Sequence, residues 1–202
     1  MANHTSADRG ERVADGAPKP SPAPSPEPVA AARPDVAARG EATPSPERPL
    51  TVERLTHLDV NEVCGLYKRV WDSQKGELLP EMIKAWEPSP LEFTSWMEGV
   101  NYFAARKNGR LIGVIGLEIA HGSGRLVHLA VDPETRRQKV ATGLVQATID
   151  WARRSNCLSV WADVLARFSA AQALFKHLGF QEAGTLHRHQ WSEDVLFFER
   201  LL

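Results

Sequence analysis

The sequence predicts an α/β domain with a mixed, mostly antiparallel central sheet flanked by helices, and three observations lead there. All six Trp, both Tyr and all seven Phe lie beyond residue 50, so one core forms from roughly 150 residues. Within that region, segments of strand and helix periodicity alternate in the order meander, helix, strand, helix, two strands. Third, the strand LVHLAV turns directly into a helix through DPETRRQK, the layout of an α/β unit.

The first element is a short strand over 50–55. Val60, Val63, Cys64, Tyr67 and Val70 then recur at helical spacing, and either Asp59 or Asn61 could cap that helix. A second helical region spans 79–97, but Pro88 and Pro90 break or kink it, which puts Trp86 and Trp96 on separate pieces. Strands over 101–106 and 111–119 form a hairpin whose Asn108-Gly109 pair suits a tight turn. The chain turns again at 121–124 into a third strand over 125–131. A helix over 141–154, a strand over 158–164 and a helix over 169–178 follow, the last closed by Gly179. Strands over 182–191 and 195–201 complete the sheet.

Residues 1–50 have a different character. They hold ten of the fourteen prolines and no aromatic residue, too little apolar surface to offset the entropy of ordering. The reading is a disordered Pro/Ala-rich extension, with 51–202 as the domain. The stretch KPSPAPSPEP is extended and polyproline-like, a spacer or a ligand for a Pro-binding module. A formal net charge of −1 points to neither nucleic acid nor an anionic membrane. Cys64 and Cys157 are too few for a disulfide framework, lack metal-ligand spacing and read as buried thiols of a reducing compartment. With no apolar leader and no long apolar run, a cytoplasmic protein is expected, as monomer or homodimer.

Chemistry concentrates at the strand-to-helix turn. The first N–H groups of the helix lack intrahelical partners and can receive an anion, worth about 0.3–1 kcal/mol from the dipole alone. Arg136, Arg137 and Lys139 add positive charge. The same pattern fits an ordinary turn with solvated basic residues. A second segment, DVLARFSAAQALFKHLGF over 163–180, and its separation from the first bear on that choice. Together the two segments resemble the GCN5-related N-acetyltransferase (GNAT) superfamily. Its pyrophosphate loop [RQ]-x-x-G-x-[GA] corresponds to RRQKVA over 136–141, and its A-x-x-L-Y-x-x-x-G-F segment to Ala171, Leu174, Phe175, Gly179 and Phe180.

The resemblance, which covers about residues 51–202, implies a GNAT-like acyl-CoA acyltransferase fold and an acetyl-CoA-dependent N-acetyltransferase. Its acceptor would be a primary amine of a small molecule or a protein. It implies cofactor contacts from Leu129, Val131, Arg136, Arg137, Gln138, Lys139, Val140, Ala141, Thr142, Phe168 and Phe175. Amides around Leu129 and Val131 would hold the acetyl carbonyl and the pantetheine arm. Three positions depart from the family pattern. Lys139 replaces the first glycine of the loop, where a left-handed backbone would cost a non-glycine residue about 1–2 kcal/mol. Phe168 stands where many relatives place an asparagine, and Phe175 stands where many place the Tyr that protonates the departing thiolate.

Asp163 is the expected base, at the strand-end position where ribosomal-protein alanine acetyltransferases carry a glutamate; an Asp that satisfies the following loop fits equally. The strand before the loop has Arg125 and Val127 where other relatives place a carboxylate. His128 has a suitable ordinary pKa, but strand alternation puts it opposite the Leu129 and Val131 face unless a bulge intervenes, and a half-buried structural histidine is the expectation. Glu118 either faces the cleft or faces solvent. His187, His189 and Trp191 alternate along one strand and could line the acceptor site; no third ligand accompanies the His-x-His pair, so no metal is assigned. A non-catalytic CoA-binding module and a purely structural interaction domain are the competing functions.

Overall fold

The structure, a computed structural model, describes residues 50–202. The proline-rich segment expected to form the extension lies outside the described residues, apart from Leu50.

Strand β1 (Thr51–Arg54) leads into a 3-10 turn (His57–Asp59) and helix α1 (Val60–Asp72). Of the two residues the sequence offers as caps for α1, Asp59 holds the N-cap position but makes no capping bond to it. Its carboxylate instead accepts the Thr56 N–H at 2.9 Å and the Arg106 Nη2–H at 2.6 Å. The proline-rich region divides as expected into α2 (Pro80–Trp86) and α3 (Pro90–Trp96). Ser89 and Glu92 cap α3 reciprocally, with Pro90 in its first turn, where a missing N–H costs nothing.

Strands β2 (Val100–Lys107), β3 (Arg110–Ala120) and β4 (Ser123–Val131) form the antiparallel meander. Asn108 and Gly109, both at positive φ, make the first turn. Helix α4 (Val140–Arg154) crosses over to β5 (Ser159–Leu165), and α5 (Ser169–His177), β6 (Gln181–Gln190) and β7 (Glu193–Leu201) follow. The sheet order is β1-β2-β3-β4-β5-β7-β6. Among the described strands, only β4 and β5 pair in parallel.

Two clusters hold the layers on the sheet. Val140, Leu144, Val145, Ile149 and Ala152 of α4 pack on Phe103, Ala105, Ile115 and Leu117. Val60, Val63, Leu66 and Val70 of α1 pack on Tyr102, Ala104, Val114 and Ala130 from the other side. Burying a side chain of this size contributes about 1.5–3 kcal/mol, so the helices are fixed by their apolar stripes. Gly113 lets α4 approach: a Cβ there would lie 2.9 Å from both Leu144 Cδ1 and Val140 Cγ1.

Two irregularities matter for the site. The β4–β5 ladder runs only from Ser123↔Ser159 to Leu126↔Ala162, so beyond it the two strands have no ladder with each other. The β3–β4 register shifts between Val114 and Gly116, with His128 at φ +57°. Such a bulge puts consecutive residues on one side of the sheet.

Candidate active site

Where β4 and β5 part, a cleft of about 800 Å³ opens. Leu129, Arg136, Asp163, Phe168 and Phe175 border it, together with Glu118, Arg125 and His128. These are residues of β3, β4, β5 and α5 and of the loop before α4, gathered because the parallel ladder stops. Val131 packs against the core, and residues 137–142 lie outside the cleft lining.

Those residues form the loop and first turn of α4. Arg136, Arg137, Gln138 and Lys139 are exposed, whereas the Val140 side chain is buried. Lys139 occupies the left-handed region at φ +61°, ψ +16°, and Arg137 has φ +62°. The conformational cost expected of Lys139 therefore applies. Among the described residues, the N–H groups of 137–142 meet no acceptor, and the first bond of the helix runs from the Gly143 N–H to Lys139 O at 3.0 Å. Free amides beside three cations can receive an anion.

Asp132 anchors this loop, a role the sequence analysis missed. Its side chain is only 1% exposed and accepts bonds from the Glu134 N–H at 3.1 Å, Arg69 Nε at 3.0 Å and Arg110 Nη2 at 2.9 Å. Burial pushes the carboxyl up, but the Glu134 amide and the guanidinium groups outweigh it and hold Asp132 below the ordinary carboxylate value.

Asp163 faces the cleft, where Arg125 Nε and Nη2 both donate to its Oδ1, at 3.1 and 2.9 Å. Its Oδ2 meets no donor among the described residues. Glu118 also lines the cleft, 3.8 Å from Arg125. The Arg125 guanidinium lies over the Trp161 ring at 5.0 Å.

The bulge corrects the expected setting of His128. Its ring stays opposite Leu129, but it opens to the cleft and is not half-buried. Nδ1 lies 2.5 Å from the Tyr102 hydroxyl, the ring stacks on Trp96 at 4.3 Å, and its carbonyl accepts the Tyr67 O–H at 2.8 Å. Close walls desolvate the imidazole and push it down to about 4, Arg125 acts in the same direction, and Asp163 opposes.

Phe168 packs on Trp86, with ring centroids 6.0 Å apart. Phe175 is buried against Phe180 and Phe198 and shows only part of its ring to the cleft. Trp71, Trp86 and Trp191 also line the wall. The expected row of His187, His189 and Trp191 does not form, because the β6–β7 register shifts between Leu186 and Gln190. Trp191 reaches the cleft, whereas His187 pairs with Asp194 at 3.1 Å. Among the described residues, no group of three metal-ligating side chains is placed to hold an ion. Cys157 is buried as expected, but Cys64 is only half-buried, and both are free.

The profile of the "Acetyltransferase (GNAT) family" matches residues 67–180. The chain belongs to the GNAT family. The match runs from α1 through α5 and takes in the loop, the bulge and Asp163. A [ribosomal protein bS18]-alanine N-acetyltransferase of Escherichia coli is 30% identical to this GNAT chain over 89 residues, 44% of the chain and 60% of the relative. Human N-acetyltransferase 8B is 27% identical over 103 residues, 48% of the chain and 45% of the relative. The chain thus spans at most 60% of the length of these two relatives. Among solved structures, the S18-alanine N-acetyltransferase from Escherichia coli superposes with a TM-score of 0.63 at 23% identity, covering 76% of this chain and 94% of that one. The paia N-acetyltransferase from Thermoplasma acidophilum, in complex with coenzyme A, superposes with a TM-score of 0.65 at 18% identity over 77% of this chain and 100% of that one. At these identities the superpositions establish the GNAT fold.

Proposed function

We propose that the protein is an acetyl-CoA-dependent N-acetyltransferase whose acceptor is a primary amine on a small molecule or a protein. One observation carries this reading: the free amides of 137–142, set beside Arg136, Arg137 and Lys139, directly follow Arg136, which lines the same cleft as Asp163. The amides and cations would receive the pyrophosphate, with Gln138, Val140, Ala141 and Thr142 contributing backbone. The arm of the cofactor would enter between β4 and β5, past the amides of Leu129 and Val131 and the rings of Phe168 and Phe175. That the Thermoplasma acidophilum neighbour is in complex with coenzyme A supports a CoA ligand for this fold.

At neutral pH an amine arrives as an ammonium and must lose two protons, one before attack and one after. Asp163 Oδ2, left free by the Arg125 pairing on Oδ1, takes the first through water. Holding amine and thioester together contributes several kcal/mol by proximity alone, roughly 7–11 in the best-oriented systems. A cytoplasmic location fits two free cysteines.

The buried, hydroxyl-free ring of Phe175 favours a second reading, a CoA-binding module without turnover. Calorimetric titration with acetyl-CoA, followed by thiol release across a panel of amines and an alanyl peptide, separates the two. Binding with turnover is expected. Binding without turnover supports the module, and no binding removes both readings.

A further inference from the structure

The second proton needs a carrier, and the residue that serves many relatives is a phenylalanine here. Among the described residues lining the cleft, the ionisable side chains are Glu118, Arg125, His128, Arg136 and Asp163. The arginines are permanent cations, and Arg125 lies against both carboxylates. His128 alone combines an open face on the cleft with a ring nitrogen that can both accept and donate.

We infer that His128 carries the second amine proton from the reacting nitrogen to the departing thiolate, in place of the hydroxyl that Phe175 lacks. This rests on the acetyl-transfer reading above. In the tautomer whose Nδ1–H donates to the Tyr102 oxygen, 2.5 Å away, Nε2 presents a lone pair, and no described residue occupies it. Trp96 against the ring face and Tyr67 on the carbonyl fix the imidazole.

The step balances without another reactant. The neutral amine attacks the thioester carbon, the N–C bond forms, and the carbonyl pair moves to oxygen. The surplus proton on nitrogen passes to Nε2. Collapse restores the carbonyl and breaks the C–S bond. Sulfur leaves with the bonding pair and takes the proton from the imidazolium, which yields amide, CoA thiol and neutral imidazole.

Burial lowers the basicity of His128, so its imidazolium is a stronger acid than an ordinary thiol at about 8.5 and release to sulfur is downhill, while capture from nitrogen is the uphill half of the relay. Tyr102 is not the source, because a phenol near 10, pushed higher still by burial, holds its proton more tightly than a thiol does.

The test uses His128→Asn, since asparagine tolerates the left-handed backbone at this position. Turnover with the best amine of the panel should fall by about 10²–10⁴-fold, while acetyl-CoA affinity stays within about twofold and the melting transition is retained. Adding Phe175→Tyr to that variant, or imidazole to His128→Gly, should restore at least about tenfold of the loss. Unchanged turnover in His128→Asn overturns the inference alone. So does a loss that neither restoration reverses, or one that comes with lost cofactor binding, since either marks a structural role. If the unsubstituted protein binds acetyl-CoA but acetylates no amine, the acetyl-transfer reading fails and takes this inference with it.

Discussion

Replacing Asp132 by alanine should destabilise the domain by about 2–4 kcal/mol. The carboxylate is 1% exposed and accepts three bonds. The bond from the Glu134 amide to a charged acceptor is worth about 1.5–3 kcal/mol. The Arg69 and Arg110 side chains are 41% and 50% exposed, so each recovers hydration and its contribution falls to about 0.2–1 kcal/mol. Urea unfolding should show a lower midpoint at constant m, and the melting temperature should drop by about 2–4 °C per kcal/mol for a domain of this size.

The pH dependence has a definite sign. Because the folded carboxyl lies below its ordinary value, the unfolded chain takes up the proton first. The stabilisation is complete above about pH 4, the ordinary Asp value, and is lost as pH falls through the folded value. Asp132→Asn keeps the shape but removes this titration, so its acid limb should be flatter than that of the unsubstituted protein. A loss under about 0.5 kcal/mol in the alanine variant, together with identical acid limbs for the Asp132→Asn variant and the unsubstituted protein, would refute the anchoring argument.

Further outcomes follow from the same geometry. Lys139→Gly relieves a left-handed cost of about 1–2 kcal/mol and adds back about 0.5–1 of chain entropy, so its melting temperature should be equal or higher. In acetyl-CoA titrations at two ionic strengths, this variant should also show a shallower salt dependence, one cation having gone. Arg106→Ala removes bonds of 2.6 Å to Glu53, Asp59 and Glu62; Glu53 and Glu62 are 54% and 40% exposed and regain water, so stability in denaturant unfolding should fall by about 1–3 kcal/mol. Arg153→Ala, whose partner Asp150 lies 3.5 Å away on the same exposed face, is the matched control and should cost less than about 1 kcal/mol.

The elements were legible because each carries a local signature. Apolar stripes define α1 and α4, Pro88 and Pro90 separate α2 from α3, and Asn108-Gly109 marks the hairpin. Residues 136–142 could be placed at the head of α4 for the same reason. What escaped the sequence depends on register or on distant partners. Nothing near His128 announces a left-handed histidine, since the bulge appears only when Val127 and Ala130 pair with Gly116 and Val114 across β3. Asp132 reads as an ordinary turn residue until Arg69 of α1 and Arg110 of β3 arrive beside it. The alternation that joins His187 to Trp191 on paper fails where β6 slips against β7.

The seam that creates the cleft also has a consequence for how the chain folds and opens. The β1–β4 meander is stitched by neighbouring hairpins, and β6 and β7 by another, but the backbone ladder that joins the two halves holds only the four parallel residue pairs between Ser123 and Ala162. Those contacts form after the whole α4 crossover has been placed, a long loop closure that rewards the chain late. In native-state hydrogen exchange, the amides of β4 and β5 along that seam should exchange through smaller openings than those of the β2–β3 hairpin. The cleft would then lie at the hinge between two cooperative units, and whatever bridges it would bind them into one.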